Sequence, residues 1–112
     1  MQLTSTRRGD ARIVTVKADR IDAAVAIQFK DRMRSATDGG PDRVILNLSE
    51  VSFIDSSGLG AIVAAMKQMG SGRRLDLAGL SPMVEKVFRL TRMDTVFTLF
   101  SSLDDAMAEL GE

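Results

Sequence analysis

No cysteine, histidine, tryptophan or tyrosine occurs in this chain, and each absence removes a class of chemistry. Without cysteine there is no disulfide framework and no thiolate nucleophile, which fits a reducing compartment. Without histidine the commonest general base and a leading metal ligand disappear together. Only carboxylates and lysines remain to activate a hydroxyl, and the pattern reads as a protein that is not an enzyme and carries neither cofactor nor metal. Net charge is lacking too: fifteen basic and fifteen acidic residues cancel. No more than two basic residues stand together, which argues against a nucleic-acid partner held by phosphate neutralisation. Long apolar runs are missing; the longest, residues 61–66, is far too short to cross a bilayer. The opening MQLTSTRRGD has no apolar signal-peptide core. A soluble, cytoplasmic protein without membrane contact is expected. No GxxxxGK[ST] phosphate loop occurs, and Gly70-Ser71-Gly72 follows a helical pattern instead of preceding one, so it reads as a helix stop. Asp104 and Asp105 read as first-turn residues complementing a helix dipole, and the seven methionines as packing material.

What is present fits one domain over residues 1–112, with 45% hydrophobic residues to build a core. Residues 2–7 and 11–18 flank Arg8-Gly9-Asp10 and read as a hairpin, the second segment alternating through Ile13, Val14 and Val16. Residues 19–22 read as a polar turn, and Asp22 as the N-cap of a helix over 23–36 with Val25, Phe29, Met33 and Ala36 inward. Gly39-Gly40-Pro41 stops it. Residues 43–48 read as a central strand, 73–78 as another. Ser81 caps a further helix with Pro82 in its first position and Val84, Val87, Phe88 and Thr91 inward. Residues 96–100 read as a last strand, and Ser102 with Asp105 as a capping box for a helix through Ala106, Met107 and Leu110. Alternating strands and helices predict an α/β fold, with a mixed, mostly parallel sheet, an N-terminal hairpin and about four helices.

The most informative stretch is residues 51–69, VSFIDSSGLGAIVAAMKQM. An apolar run enters Asp55-Ser56-Ser57-Gly58, and a helix follows with Leu59, Ile62, Val63, Met66 and Met69 at the spacing of one buried face. Asp55 and Ser56 stand at the helix entrance, where unpaired N–H groups accept a capping side chain or tolerate an anion. An inert cap is the commoner use of such residues. The opposite face, Gly60, Ala61, Ala64, Ala65, Lys67 and Gln68, is bare near its start, whereas a solvated face normally carries long polar side chains. A partner protein or a neighbouring helix of the same fold must approach it closely.

Val44-Ile45-Leu46-Asn47-Leu48 followed by Val51 through Gly60 resembles the signature of STAS domains, specifically the bacterial anti-sigma factor antagonists, and the likeness extends in weaker form over nearly the whole chain. The resemblance implies the same mixed α/β architecture. It implies a partner-switching function in which the unmodified protein binds a cognate anti-sigma factor, itself a serine kinase, and frees a sigma factor. Phosphorylation would fall on Ser56 and be reversed by a phosphatase. Partner contact would involve Asp55, Ser56, Ser57, Gly58, Leu59, Gly60, Ala61, Ala64 and Lys67, in a monomer or weak dimer. Two positions depart from the pattern: Asn47, where an acidic residue is usual, and Ala18, where a glycine is usual. The alternatives on the same fold are an accessory subunit of a larger assembly, such as a stressosome or lipid-transport complex, and a nucleotide or small-molecule module.

Overall fold

The computed structural model describes residues 1–109. Strands β1 (Gln2–Arg8) and β2 (Ala11–Lys17) form the antiparallel hairpin. Its loop is closed by Gly9 at φ 57, a left-handed conformation suited to glycine. The short β3 (Arg20–Ile21) leads to helix α1 (Ala26–Thr37). Next come β4 (Arg43–Asn47), β5 (Phe53–Ile54), α2 (Ser56–Met69), β6 (Arg74–Ala78), α3 (Pro82–Leu90), a 3-10 turn at Met93–Thr95, β7 (Leu99–Phe100) and α4 (Leu103–Ala108). The main sheet runs β1-β2-β4-β6-β7, parallel from β2 onward, and β3 pairs with β5 in a separate two-stranded parallel sheet. The expected mixed, mostly parallel α/β architecture is therefore present.

Both faces of the main sheet are covered, which is why β4 carries three successive buried apolar residues, Val44, Ile45 and Leu46. Strand side chains alternate between faces. Val14, Val16, Val44, Leu46, Leu75 and Leu77 meet Phe29 and Met33 of α1, Ile62 and Met69 of α2, and Val84 and Phe88 of α3 in one cluster. Ala11, Ile13, Ile45 and Ala78 meet Ala106 and Met107 of α4 in the other.

Several local expectations are corrected. Residues 19–22 do not form a mere turn, since Arg20 and Ile21 pair with β5. Asp22 does not cap α1: its carboxylate accepts the Ala24 N–H at 3.1 Å and its carbonyl the Val25 N–H at 3.1 Å. That separate turn delays the helix to Ala26. The strand expected over 96–100 shrinks to Leu99 and Phe100. Phe97 turns inward instead, edge-on to Phe88 with ring centroids 6.0 Å apart, while Val96 is exposed. Thr91 is exposed as well. Ser81 does accept the Val84 N–H, at 3.4 Å, and Ser102 the Asp105 N–H, at 3.0 Å. Leu110 lies outside the described residues.

A carboxylate without any signal in the periodicity, Asp76 of β6, is 1% exposed on the α4 side of the sheet. Arg43 reaches its Oδ2 and Arg74 its Oδ1, each at 2.8 Å. Arg74 also meets Glu109 at 3.0 Å, and Arg43 donates to the Ala106 carbonyl at 3.4 Å and lies 5.8 Å from the centre of the Phe100 ring. Hydrogen bonding to Asp76 is the leading cause that raises the Arg74 pKa above its ordinary value. The Arg43 side chain is 11% exposed and that of Arg74 49%, so the two pairs differ in worth. Asp76→Ala strands a buried guanidinium and is expected to cost about 3–5 kcal/mol in urea unfolding, whereas Arg74→Ala removes a screened partner and is expected to cost roughly 1 kcal/mol or less.

Candidate functional site

The site begins with how β5 is held. Asp19 O accepts the Ser52 N–H at 2.8 Å, the Ser52 hydroxyl at 3.0 Å and the Phe53 N–H at 3.3 Å. This locks β5 beside β3 and fixes the direction in which the chain enters α2. Asp55 is the N-cap, with extended backbone. Its Oδ1 accepts the Gly58 N–H at 2.8 Å and its Oδ2 the Ala23 N–H at 3.2 Å. One carboxylate thus closes the first turn of α2 and secures the loop leading to α1. The Ile21 carbonyl lies so close to Gly58 that a Cβ built there would stand 1.9 Å from its oxygen. Only glycine fits that contact.

With capping done by Asp55, Ser56 becomes the first residue of the helix, not a cap. Ser56 and Ser57 are exposed, and neither hydroxyl has a hydrogen-bond partner among the described residues. Gly60 is also exposed, with open space where a side chain would stand. Leu59 and Ala64 are half-buried and Lys67 is exposed. Gly58 and Ala61, expected in the contact surface, are instead buried, Ala61 to 3% exposure. They form no part of an accessible face. The buried side of α2 is broader than the periodicity suggested: Ala61, Ile62, Ala65 and Met69 are buried, while Leu59, Val63 and Met66 are only partly so. The reason is that α2 is enclosed twice, by the sheet under its large residues and by α1, which packs along it. Much of the bareness of the small-residue face is therefore the seat of α1, and the open remainder is Ser56, Ser57, Gly60 and the flank through Ala64 to Lys67.

Phe53 is 40% exposed beside this turn, with the Arg20 guanidinium 5.6 Å from its ring centre. Arg20 also lies 3.6 Å from Asp22. Sequence pattern did not single out this pair, because the two residues meet only through the β3–β5 pairing.

The STAS domain profile matches residues 2–106. The chain belongs to the STAS domain family. A Thermotoga maritima protein, provisionally named an anti-sigma factor antagonist, is 35% identical to it over 72 residues, which is 63% of this chain and 64% of that protein. The chain thus aligns with slightly less than two thirds of that relative. A crystal structure of a Thermotoga maritima protein, also provisionally named an anti-sigma factor antagonist, superposes with a TM-score of 0.82 at 26% identity, covering 98% of this STAS domain and 95% of that chain. The Bacillus anti-sigma factor antagonist SpoIIAA shares the fold at 20% identity. Its unphosphorylated form has a TM-score of 0.75, covering 97% of this chain and 96% of that one, and its phosphorylated form 0.69, covering 97% and 99%. No helix among the described residues of this STAS domain is long and apolar enough to cross a membrane.

Two substitutions test the construction of the turn. Asp55→Ala frees two N–H groups at once and is expected to lower stability by about 1–2 kcal/mol. Gly58→Ala forces the Ile21 carbonyl away and is expected to cost more than the ordinary gain in helix propensity of about 1 kcal/mol returns, so thermal unfolding should show a net loss. An unchanged or higher melting temperature for Gly58→Ala would contradict the close approach.

Proposed function

We propose that this STAS domain is an anti-sigma factor antagonist that acts by partner switching at Ser56. The observation that carries the reading is the exposed, unengaged Ser56 hydroxyl on a turn whose capping is supplied entirely by its neighbour. Unmodified, the surface around Asp55, Ser56, Ser57, Leu59, Gly60, Ala64 and Lys67 docks an anti-sigma factor and releases the sigma factor it held. Gly58 and Ala61 contribute from beneath, by letting Ile21 and α1 approach.

The anti-sigma factor, acting as a serine kinase, transfers the terminal phosphoryl group of ATP to Ser56 Oγ, with loss of the hydroxyl proton and release of ADP. The product carries nearly two negative charges in the middle of the contact. Desolvating that dianion without matched cations is unfavourable, and each 1.4 kcal/mol weakens binding about tenfold. In the free protein the opening of α2 favours the phosphate through its dipole and unpaired N–H groups, so release requires no refolding. That SpoIIAA, of the same fold, is known in phosphorylated and unphosphorylated forms supports the reading. A phosphatase completes the cycle, placed with the kinase in the cytoplasm. The protein is then a substrate and ligand, not a catalyst.

Incubation with a kinase-type anti-sigma factor from the same cell and ATP, followed by mass spectrometry, should place one phosphate on Ser56, retain it in Ser57→Ala and lose it in Ser56→Ala. Ser56→Asp should weaken binding of the unmodified partner by at least about tenfold. Undiminished labelling of Ser56→Ala would overturn the assignment.

A further inference from the structure

The open seam between α1 and α2 carries charge of one sign. Lys30 and Arg34 of α1 line a groove of ≈ 80 Å³ with Ala64, Ala65 and Gln68 of α2, and Lys67 stands next to Gln68 in the same turn. None of the three cations has a hydrogen-bond or ion-pair partner among the described residues. Some cations elsewhere on the surface are matched, Lys17 with Glu50 and Arg89 with Glu85 and Asp94, while Arg32, Lys86 and Arg92 stand singly among the described residues, and what sets Lys30 and Arg34 apart is that they flank one groove. Within the seam nothing could match them, because α2 contains no acidic residue and the one acid of α1, Asp31, lines a different groove against β1. Lys30 and Arg34 are also four residues apart on one helix, a like-charge spacing that destabilises it. Ile27, 71% exposed, precedes them by three and seven residues on the same stripe of α1, toward the helix end that the Asp55–Ala23 bond ties to the start of α2.

We propose that this seam docks an acidic amphipathic helix of the anti-sigma factor, with an apolar side chain against Ile27 and Gly60 and carboxylates at Lys30, Arg34 and Lys67. This rests on the partner-switching reading and specifies the chemistry of the partner. The floor of small residues is concave and accepts the ridge of a helix, which a flat anionic bilayer cannot follow, and three cations are too few for the phosphate-neutralising footprint of a nucleic acid. An acidic partner also sharpens the switch. Phosphate on Ser56, at the head of the same helix α2, then repels a surface of its own sign in addition to being desolvated.

The test uses the whole protein, isotopically labelled, titrated with a synthetic amphipathic helix of roughly 18 residues, or five turns, bearing glutamates beside a leucine stripe. Backbone amide shifts should concentrate at Ile27, Lys30, Arg34, Gly60, Ala64 and Lys67 and fade with added salt. The double variant Lys30→Glu with Arg34→Glu, and separately Lys67→Glu, should weaken binding about tenfold or more at low ionic strength, whereas Lys86→Glu should leave it unchanged. Shifts centred on other cations, no shifts at all, or stronger binding to phosphatidylglycerol vesicles or single-stranded DNA than to the peptide would overturn the proposal. Absence of Ser56 labelling with the peptide still mapping to the seam would sink the switch alone. Intact labelling with the peptide bound elsewhere would sink the acidic-helix surface alone.

Discussion

The Asp55 carboxylate joins two parts of the chain that the rest of the site depends on. By accepting N–H groups from Gly58 and from Ala23, it caps α2 and at the same time fixes the approach to α1. The β3–β5 pairing sets up this arrangement, since it brings the Ile21 carbonyl onto the first turn of α2, where glycine alone leaves room. The consequence for Ser56 is a division of labour. A helix opening needs a side-chain acceptor, and once Asp55 provides it the next hydroxyl is left unengaged on a turn that cannot easily fray. A side chain held on rigid backbone has less freedom to lose in any contact it makes.

The two faces of the sheet are stabilised by different physics. On one, α1, α2 and α3 cover a continuous apolar cluster, and the net contribution is area removed from water. On the other, a six-residue helix covers a smaller cluster, and Asp76 holds two arginines beneath it. A buried carboxylate is tolerable only because Arg43 and Arg74 occupy both of its oxygens. That polar cluster orients α4 through the Ala106 carbonyl and Glu109, which a small apolar contact alone would do less specifically. Ser56, Lys30, Arg34 and Lys67 lie on the first set of helices without internal partners among the described residues, while Arg43, Arg74 and Asp76 near α4 are engaged with one another.

Legibility in the sequence followed the reach of the interactions. Elements whose signals are local were readable: the Gly9 turn, the Ser81-Pro82 start of α3, the Gly70-Ser71-Gly72 stop and the strand at Val44, Ile45 and Leu46. The start of α1 was misplaced because Asp22, a good cap by residue type, is drawn into a turn of its own and the loop is anchored instead by Asp55, 32 residues away from Ala23. The strand at 96–100 was overextended because Phe97 has strand-like composition but finds Phe88 as its partner in the core. For the site, the pattern gave the positions of Asp55 and Ser56 but not their separate duties. It also assigned Ala61 to an open surface, since small residues look alike whether they expose a helix or admit another one.

The chain's own order of residues determined the fold class, the strand-to-helix turn at Asp55-Ser56 and the lack of cysteine, histidine, tryptophan and tyrosine, because periodicity, capping chemistry and composition act over a few residues or none at all. Only the tertiary structure decided which small residues lie under α1, that Gly58 faces a carbonyl, that Asp76 is enclosed by two arginines and that Lys30 and Arg34 flank one groove against α2, which has no acid to answer them. Those facts depend on which distant segments become neighbours. Packing and Coulomb interactions are short-ranged in space and blind to separation along the chain.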